Sequence, residues 1–144
     1  MNYILLYSFG LLLTFSIIGY GFLLSKIINK KLLSYNLGYQ GLLGIFFLTI
    51  ISYTTIFFVK HGYIHNLILH FIGLFSFFYF FNKNRYFFEI QRLIIIVTIL
   101  FIGILILVNH DDFSYYHLTY SLGLSEDKLV FGLGNFSHGM KHHS

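Results

Sequence analysis

Four long apolar runs dominate the sequence, at residues 3–25, 37–59, 63–81 and 93–108. A membrane-spanning helix needs roughly 20 predominantly apolar residues, so each run is close to the length of one span. Only 10% of the residues are charged, against about 25% in soluble domains. The sequence therefore predicts an all-α integral membrane protein, with about four transmembrane helices forming a bundle over residues 1–108.

The basic residues predict the orientation of these helices. Three cations follow the first run, three more lie between the third and fourth runs, and one follows the second run; they are Lys26, Lys30 and Lys31, then Lys83, Arg85 and Arg92, then Lys60. Because Lys and Arg concentrate in cytoplasmic loops, the N-terminus and residues 109–144 are predicted to be extracytoplasmic. Cations dispersed in this way form no nucleic-acid-binding stripe, and the bias toward Phe, Tyr, Ile, Asn and Lys is typical of an AT-rich bacterial genome. The protein is thus expected in a bacterial inner membrane.

Residues 109–144 contain four of the five acidic residues. We call this segment the head, and its sequence predicts short helices. Asp111 and Asp112 adjoin each other directly after the fourth apolar run, and two such carboxylates repel unless a cation or a proton lies between them. Oxygen ligands suit Mg²⁺ or Mn²⁺, with His117 as a nearby imidazole ligand. One carboxylate is alternatively a general base for a sugar hydroxyl, or Asp112 is a helix N-cap.

The head is predicted to contain two short helices. Asp112 suits the N-cap of a helix beginning at Phe113, and Gly123 suits its C-terminal cap. Ser125 suits the N-cap of a second helix. The first of these helices is expected to lie in the membrane interface.

The segment from His110 to Leu118, together with residues 132–139, resembles the first large outer loop of bacterial multi-pass polysaccharide-biosynthesis proteins, which look like glycosyltransferases of the GT-C class. In that class an acidic motif precedes an interfacial helix on the outer side. The resemblance implies that Asp111 and Asp112 are catalytic or hold a divalent metal together with His117. It also implies a polyprenyl-phosphate-linked sugar as substrate, contacted by His110, Tyr116, His117, Lys128, His138 and Lys141.

Other polar residues are predicted to be mainly structural. His61 and His65 are expected at the membrane interface, with His70 hydrogen-bonded inside the bundle. Glu89 is expected to form a local ion pair with Arg85 or Arg92, which lie at helical spacing from it. The pattern of His138, His142 and His143 suits either a metal site or a solvated loop.

Small residues on the second run predict a helix contact. Gly38, Gly41 and Gly44 recur every three residues, and small residues at such spacing allow helices to approach closely in lipid.

Two functions remain open from the sequence. The first is the N-terminal part of a membrane glycosyltransferase-like protein of envelope polysaccharide synthesis, expected to be inactive as this piece alone. The alternative is a small non-enzymatic four-helix membrane protein that assembles with partner subunits. A histidine-box metalloenzyme is disfavoured, because such enzymes need several histidine boxes on the cytoplasmic side.

Overall fold

The computed structural model describes residues 2–106 and 117–126. Five α-helices are present in these residues, namely α1 (Tyr3–Ile28), α2 (Leu37–Thr55), α3 (Tyr63–Phe80), α4 (Lys83–Ile106) and α5 (His117–Glu126), with a short 3-10 helix at Lys30–Ser34 between α1 and α2. Helices α1 to α4 are each long and apolar enough to cross a membrane. The predicted all-α membrane architecture is therefore confirmed.

The fourth helix begins ten residues before the predicted span. The carbonyl of Asn82 accepts hydrogen bonds from the amides of Arg85 and Tyr86, at 3.1 and 3.0 Å, so the helix begins in the polar segment between the third and fourth apolar runs. The reason is burial, because the Tyr86 side chain is only 2% exposed and packs into the core. In α2 the reverse occurs, and the helix ends at Thr55 rather than at residue 59.

Contacts divide the described residues into two compact units. The first contains residues 2–50 and 68–106, and the second contains residues 51–67 and 117–126. In the first unit α1 is the central helix. It runs antiparallel to α2, with Gly21 against Gln40, and parallel to α3, with Gly19 against Gly73.

Glycines allow the backbones of the first unit to touch. A Cβ on Gly19 would overlap the carbonyl oxygen of Gly73, and a Cβ on Gly44 would overlap that of Ile17. The predicted contact face of α2 is therefore confirmed at Gly44. It is wrong at Gly38, whose Cβ would meet only Asn36 Oδ1 at 3.5 Å, and Gly41 makes only an ordinary contact with Ile18 at 3.9 Å.

The N-terminal turns of α4 hold the segment that connects α1 to α2. The Tyr86 hydroxyl donates to the Leu33 carbonyl at 2.5 Å, and the Arg85 guanidinium donates to the carbonyl of Ser34. Glu89 Oε2 accepts the amide of Leu37, the first residue of α2, at 2.6 Å. A carboxylate at this position satisfies an unpaired amide and complements the positive end of the helix dipole.

The predicted ion pair of Glu89 is accordingly wrong. In the described part of the chain, its carboxylate bonds a backbone amide of another helix, while Arg85 bonds a backbone carbonyl. Spacing along α4 favoured the local pair, but the free amide of Leu37 offers a partner that sequence spacing does not reveal.

Candidate functional site at the turn between α2 and α3

Most of the residues predicted to form the site lie outside the described residues. These are His110, Asp111, Asp112, Tyr116, Lys128, His138 and Lys141, together with His142 and His143. His117 is the first residue of α5, and the placement of its side chain also lies outside the description. Their roles in catalysis, substrate binding and metal binding stay predictions.

A helix follows the acidic pair, but its internal details differ from the prediction. It spans His117–Glu126 in the described residues, so Gly123 lies inside the helix and is not its C-terminal cap. Ser125 is not the N-cap of a second helix, because its hydroxyl donates back to the carbonyl of Leu122 at 2.7 Å. One glycine inside a helix costs only about 1 kcal/mol relative to alanine, which neighbouring turns can outweigh.

Helix α5 lies against the turn between α2 and α3. A Cβ on Gly62 would come within 3.2 Å of the carbonyl oxygen of Ser125, which is closer than most real Cβ contacts. Leu118 and Leu122, one helical turn apart, are 41% and 50% exposed. The second unit thus combines a polar turn with a short helix that exposes apolar side chains.

His61 is held at this turn by two hydroxyl groups from the end of α2. Its Nε2 lies 3.0 Å from Thr55 Oγ1, and its Nδ1 lies 3.4 Å from Ser52 Oγ. Because the Thr55 hydroxyl donates to the carbonyl of Ser52 at 3.3 Å, its oxygen is left to accept from His61. This assigns the proton of neutral His61 to Nε2 and leaves Nδ1 as the acceptor for Ser52.

The ring of His65 stacks on that of His61. The ring centroids are 4.4 Å apart, and the planes differ by only 4°. Burial lowers the pKa of His61, and the neighbouring His65 lowers it further. Both effects disfavour the charged form of His61, so the stack is a pair of imidazoles in which His61 resists protonation.

Asn66 fixes the orientation of the pair. Its Nδ2 donates to the carbonyl of His61 at 2.9 Å, and its Oδ1 lies 3.2 Å from His65 Nδ1. Since an amide oxygen only accepts hydrogen bonds, the neutral His65 carries its proton on Nδ1. Its Nε2 then keeps an unshared electron pair, and this atom is buried without a partner among the described residues.

The acceptor at this turn that no described residue satisfies is His65 Nε2. A neutral imidazole nitrogen of this kind can accept a hydrogen bond or serve as one ligand of a metal ion. No group of three potential ligands from His, Cys, Asp or Glu occurs among the described residues, so the turn alone does not build a metal centre. His61 precedes α3 and His65 lies in its first turn, and their position at the membrane interface stays a prediction. Sequence reasoning missed the hydroxyl partners of His61. Ser52 and Thr55, one turn apart at the end of an apolar run, were the available signal.

His70 belongs to the first unit and departs from its prediction. Its Nδ1 is buried without a hydrogen-bond partner in the described ranges, whereas its backbone carbonyl accepts the Ser16 hydroxyl at 3.1 Å. The ring lies beside Phe9, with centroids 5.8 Å apart. The expected hydrogen bond is therefore made by the main chain of His70 rather than by its imidazole.

Function has to be inferred from these residues, since comparison of the chain with protein-family models, with curated proteins and with solved structures found no match.

Proposed function

We propose that this chain is the N-terminal, membrane-embedded part of a glycosyltransferase-like protein of envelope polysaccharide synthesis that uses a lipid-linked sugar. The observation that supports the proposal is α5. It begins five positions after Asp112 and exposes Leu118 and Leu122, as expected of an interfacial helix after an acidic motif. Ser125 of α5 lies against Gly62, and α5 shares one compact unit with His65, whose Nε2 has no partner among the described residues.

The proposed chemistry needs a group that withdraws a proton from the acceptor hydroxyl or stabilises the phosphate leaving group. Asp111 or Asp112 supplies the base in the first version. In the second version the two carboxylates and His117 hold Mg²⁺ or Mn²⁺, which neutralises phosphate charge. Lys128, Lys141 and His138 are proposed to contact the phosphates, and His110, Tyr116 and His117 the substrate.

The experiment that tests the proposal replaces each Asp by Asn, which has nearly the same shape but no carboxylate. Asp111→Asn, Asp112→Asn and the double variant are expressed in a strain that lacks the chromosomal copy, within the full reading frame. Surface polysaccharide and sugar transfer from a polyprenyl-phosphate donor are then measured. We expect a loss of about a hundredfold or more, the usual contribution of a general base, with membrane insertion unchanged.

Glu126→Gln is the matched control, because Glu126 is an exposed acid at the end of α5. It should leave transfer unchanged. Full activity in the Asp111 and Asp112 double variant would contradict the proposal. Chelation distinguishes the two versions, because loss of transfer with EDTA and recovery with Mn²⁺ or Mg²⁺ supports the metal, whereas indifference to EDTA supports the base.

A second candidate function is a non-enzymatic membrane protein that assembles with partner subunits. The observation that favours it is the close packing of α1 against Gly44 and Gly73, which is what a structural helix bundle requires. It expects tolerance at Asp111 and Asp112, and loss of assembly when the close contact at Gly44 is disturbed.

A further inference from the structure

Basic side chains collect at one end of the first unit. The end of α1, the 3-10 helix and the beginning of α4 meet there, joined by the bonds of Tyr86 and Arg85 to the carbonyls of Leu33 and Ser34. We call this region the basic end and define it by Lys26, Lys30, Lys31 and Arg85. All four of these residues are exposed.

The basic end carries an excess of positive charge. Among its described residues, Glu89 is the one carboxylate, and its Oε2 is bonded to the amide of Leu37. Four cations against one anion leave three positive charges. Those cations lie at or beside the ends of helices that are apolar enough to span a membrane, and the ends of such helices lie near the depth of lipid phosphates.

The ammonium of Lys26 lies over two aromatic rings at the end of α3. Its Nζ lies 5.1 Å from the centroid of the Phe80 ring and 5.8 Å from that of Tyr79. Tyr79 is 68% exposed, and exposed tyrosines at span ends favour the headgroup region. Aromatic faces attract the ammonium without occupying its three N–H donors as a carboxylate would. Lys26 is thus positioned between α1 and α3 with its donors available.

We propose that the basic end binds the headgroup of an anionic phospholipid, with Lys26, Lys30 and Lys31 donating to its phosphate. Basic pockets between spanning helices bind anionic headgroups, and each Lys or Arg near the surface contributes an attraction of about 1 kcal/mol, equivalent to about fivefold in affinity. The occupant is a lipid rather than a free anion, because the exposed apolar residues Ile27 and Ile28 adjoin Lys26 and offer contact to acyl chains. This site is independent of the proposed glycosyl transfer.

The test measures lipid retention by the purified full chain. Protein is reconstituted in nanodiscs containing equal amounts of phosphatidylglycerol and phosphatidylcholine, transferred to mild detergent, and the lipid that remains bound is counted by native mass spectrometry. We expect phosphatidylglycerol to be retained preferentially. Lys26→Gln should reduce that preference by about fivefold, and Lys30→Gln by a similar factor.

Lys60→Gln is the matched control. It also removes one positive charge, but Lys60 lies in the turn between α2 and α3 and does not belong to the basic end. It should retain phosphatidylglycerol as the wild type does. Equal retention in Lys26→Gln and the wild type overturns the proposal, as does equal loss in Lys60→Gln. Displacement of the lipid by millimolar inorganic phosphate identifies a free-phosphate site and overturns the lipid assignment.

A salt titration of the unmodified protein tests the proposal without any substitution. Retention of phosphatidylglycerol should fall as sodium chloride rises, since exposed charges are screened within about 10 Å at 0.1 M salt, whereas retention of phosphatidylcholine should not change. Retention that is the same for both lipids at all salt concentrations contradicts the site.

Discussion

At the scale of single residues, His61 shows how its neighbours change the pKa of a titratable group outside the candidate spans. Both of its ring nitrogens have hydroxyl partners, and its ring is stacked on that of His65. The pKa of His61 is lowered, first by burial and second by His65. The folded protein therefore favours neutral His61 more than the unfolded chain does.

This lowered pKa predicts an acid-sensitive stability. Above the unfolded-state pKa of about 6.5, His61 is neutral in both states and costs nothing. As the pH falls from about 6.5 through the lower folded-state pKa, the unfolded chain binds a proton that the folded protein resists, so the free energy of unfolding decreases. We expect the melting temperature of the wild type to fall over this range, and His61→Gln to remove part of the fall.

The measurement is the difference between the two melting profiles from pH 7.5 to pH 5, because the other histidines contribute to both. His65→Gln should also flatten the profile, but less, since His65 is the smaller cause of the shift. A fall that is as steep in His61→Gln as in the wild type would show that other groups cause it.

Residue-level prediction from sequence was limited because folding brings together partners that helical spacing does not pair. The bond from Glu89 to the Leu37 amide joins residues 52 positions apart, and helical spacing suggested Arg85 instead. Ser52 and Thr55 reach His61 only because the chain reverses after α2. Composition and spacing identify polar residues that need partners, but they do not choose among partners brought together by folding.

At the scale of the helices, α2 shows that a glycine does not always mark a close contact between helices. Gly44 is buried against the backbone of α1, whereas Gly38 is exposed and near only Asn36. Both glycines belong to the series in which a glycine recurs every three residues, so the spacing alone predicts the same helix contact at each of them. The buried face instead follows Leu37, Gln40 and Gly44, which is the 3.6-residue period of a helix.

We predict opposite effects of alanine at these two positions. Gly44→Ala should lower the free energy of unfolding by about 1–3 kcal/mol, the usual cost of overpacking a tight contact. Gly38→Ala should be neutral or stabilising by up to about 1 kcal/mol, because alanine is the better helix former and space is available. Unfolding in mixed micelles with increasing SDS measures both.

Gly103→Ala provides a further reference in α4, where a Cβ would meet nothing within 4 Å. Equal destabilisation by Gly38→Ala and Gly44→Ala would mean that loss of glycine itself, rather than the contact with Ile17, determines the effect.

At the scale of the whole molecule, hydropathy was enough to predict the four candidate spanning helices found in residues 2–106. The four apolar runs all became helices that meet the requirements of a membrane span. The first and last residues of the helices were harder to predict, because the burial of Tyr86 extends α4 into a charged segment. Asp111 and Asp112 lie outside the described residues, so their role in the site is still a prediction from the sequence.

Orientation in the membrane is a prediction that the chain makes easy to test, because it contains no cysteine. Single substitutions Lys60→Cys and Glu126→Cys should react with a membrane-impermeant maleimide on intact cells. Ser34→Cys should react only after permeabilisation, because it lies among the cations expected in the cytoplasm. The opposite pattern of labelling would reverse the orientation.

The carboxylate at the start of α2 also has a consequence for the order of events during synthesis. Glu89 is translated 52 residues after the amide that it bonds, so at 5–20 residues per second the ribosome needs about 3–10 s to supply it. During that interval the first turn of α2 has only its local cap, the side chain of Asn36, which accepts the Tyr39 amide at 2.8 Å. Emergence of α4 therefore completes the N-terminus of a helix made two spans earlier, and a nascent chain stalled before residue 89 should show weaker protection of the Leu37 amide from hydrogen exchange.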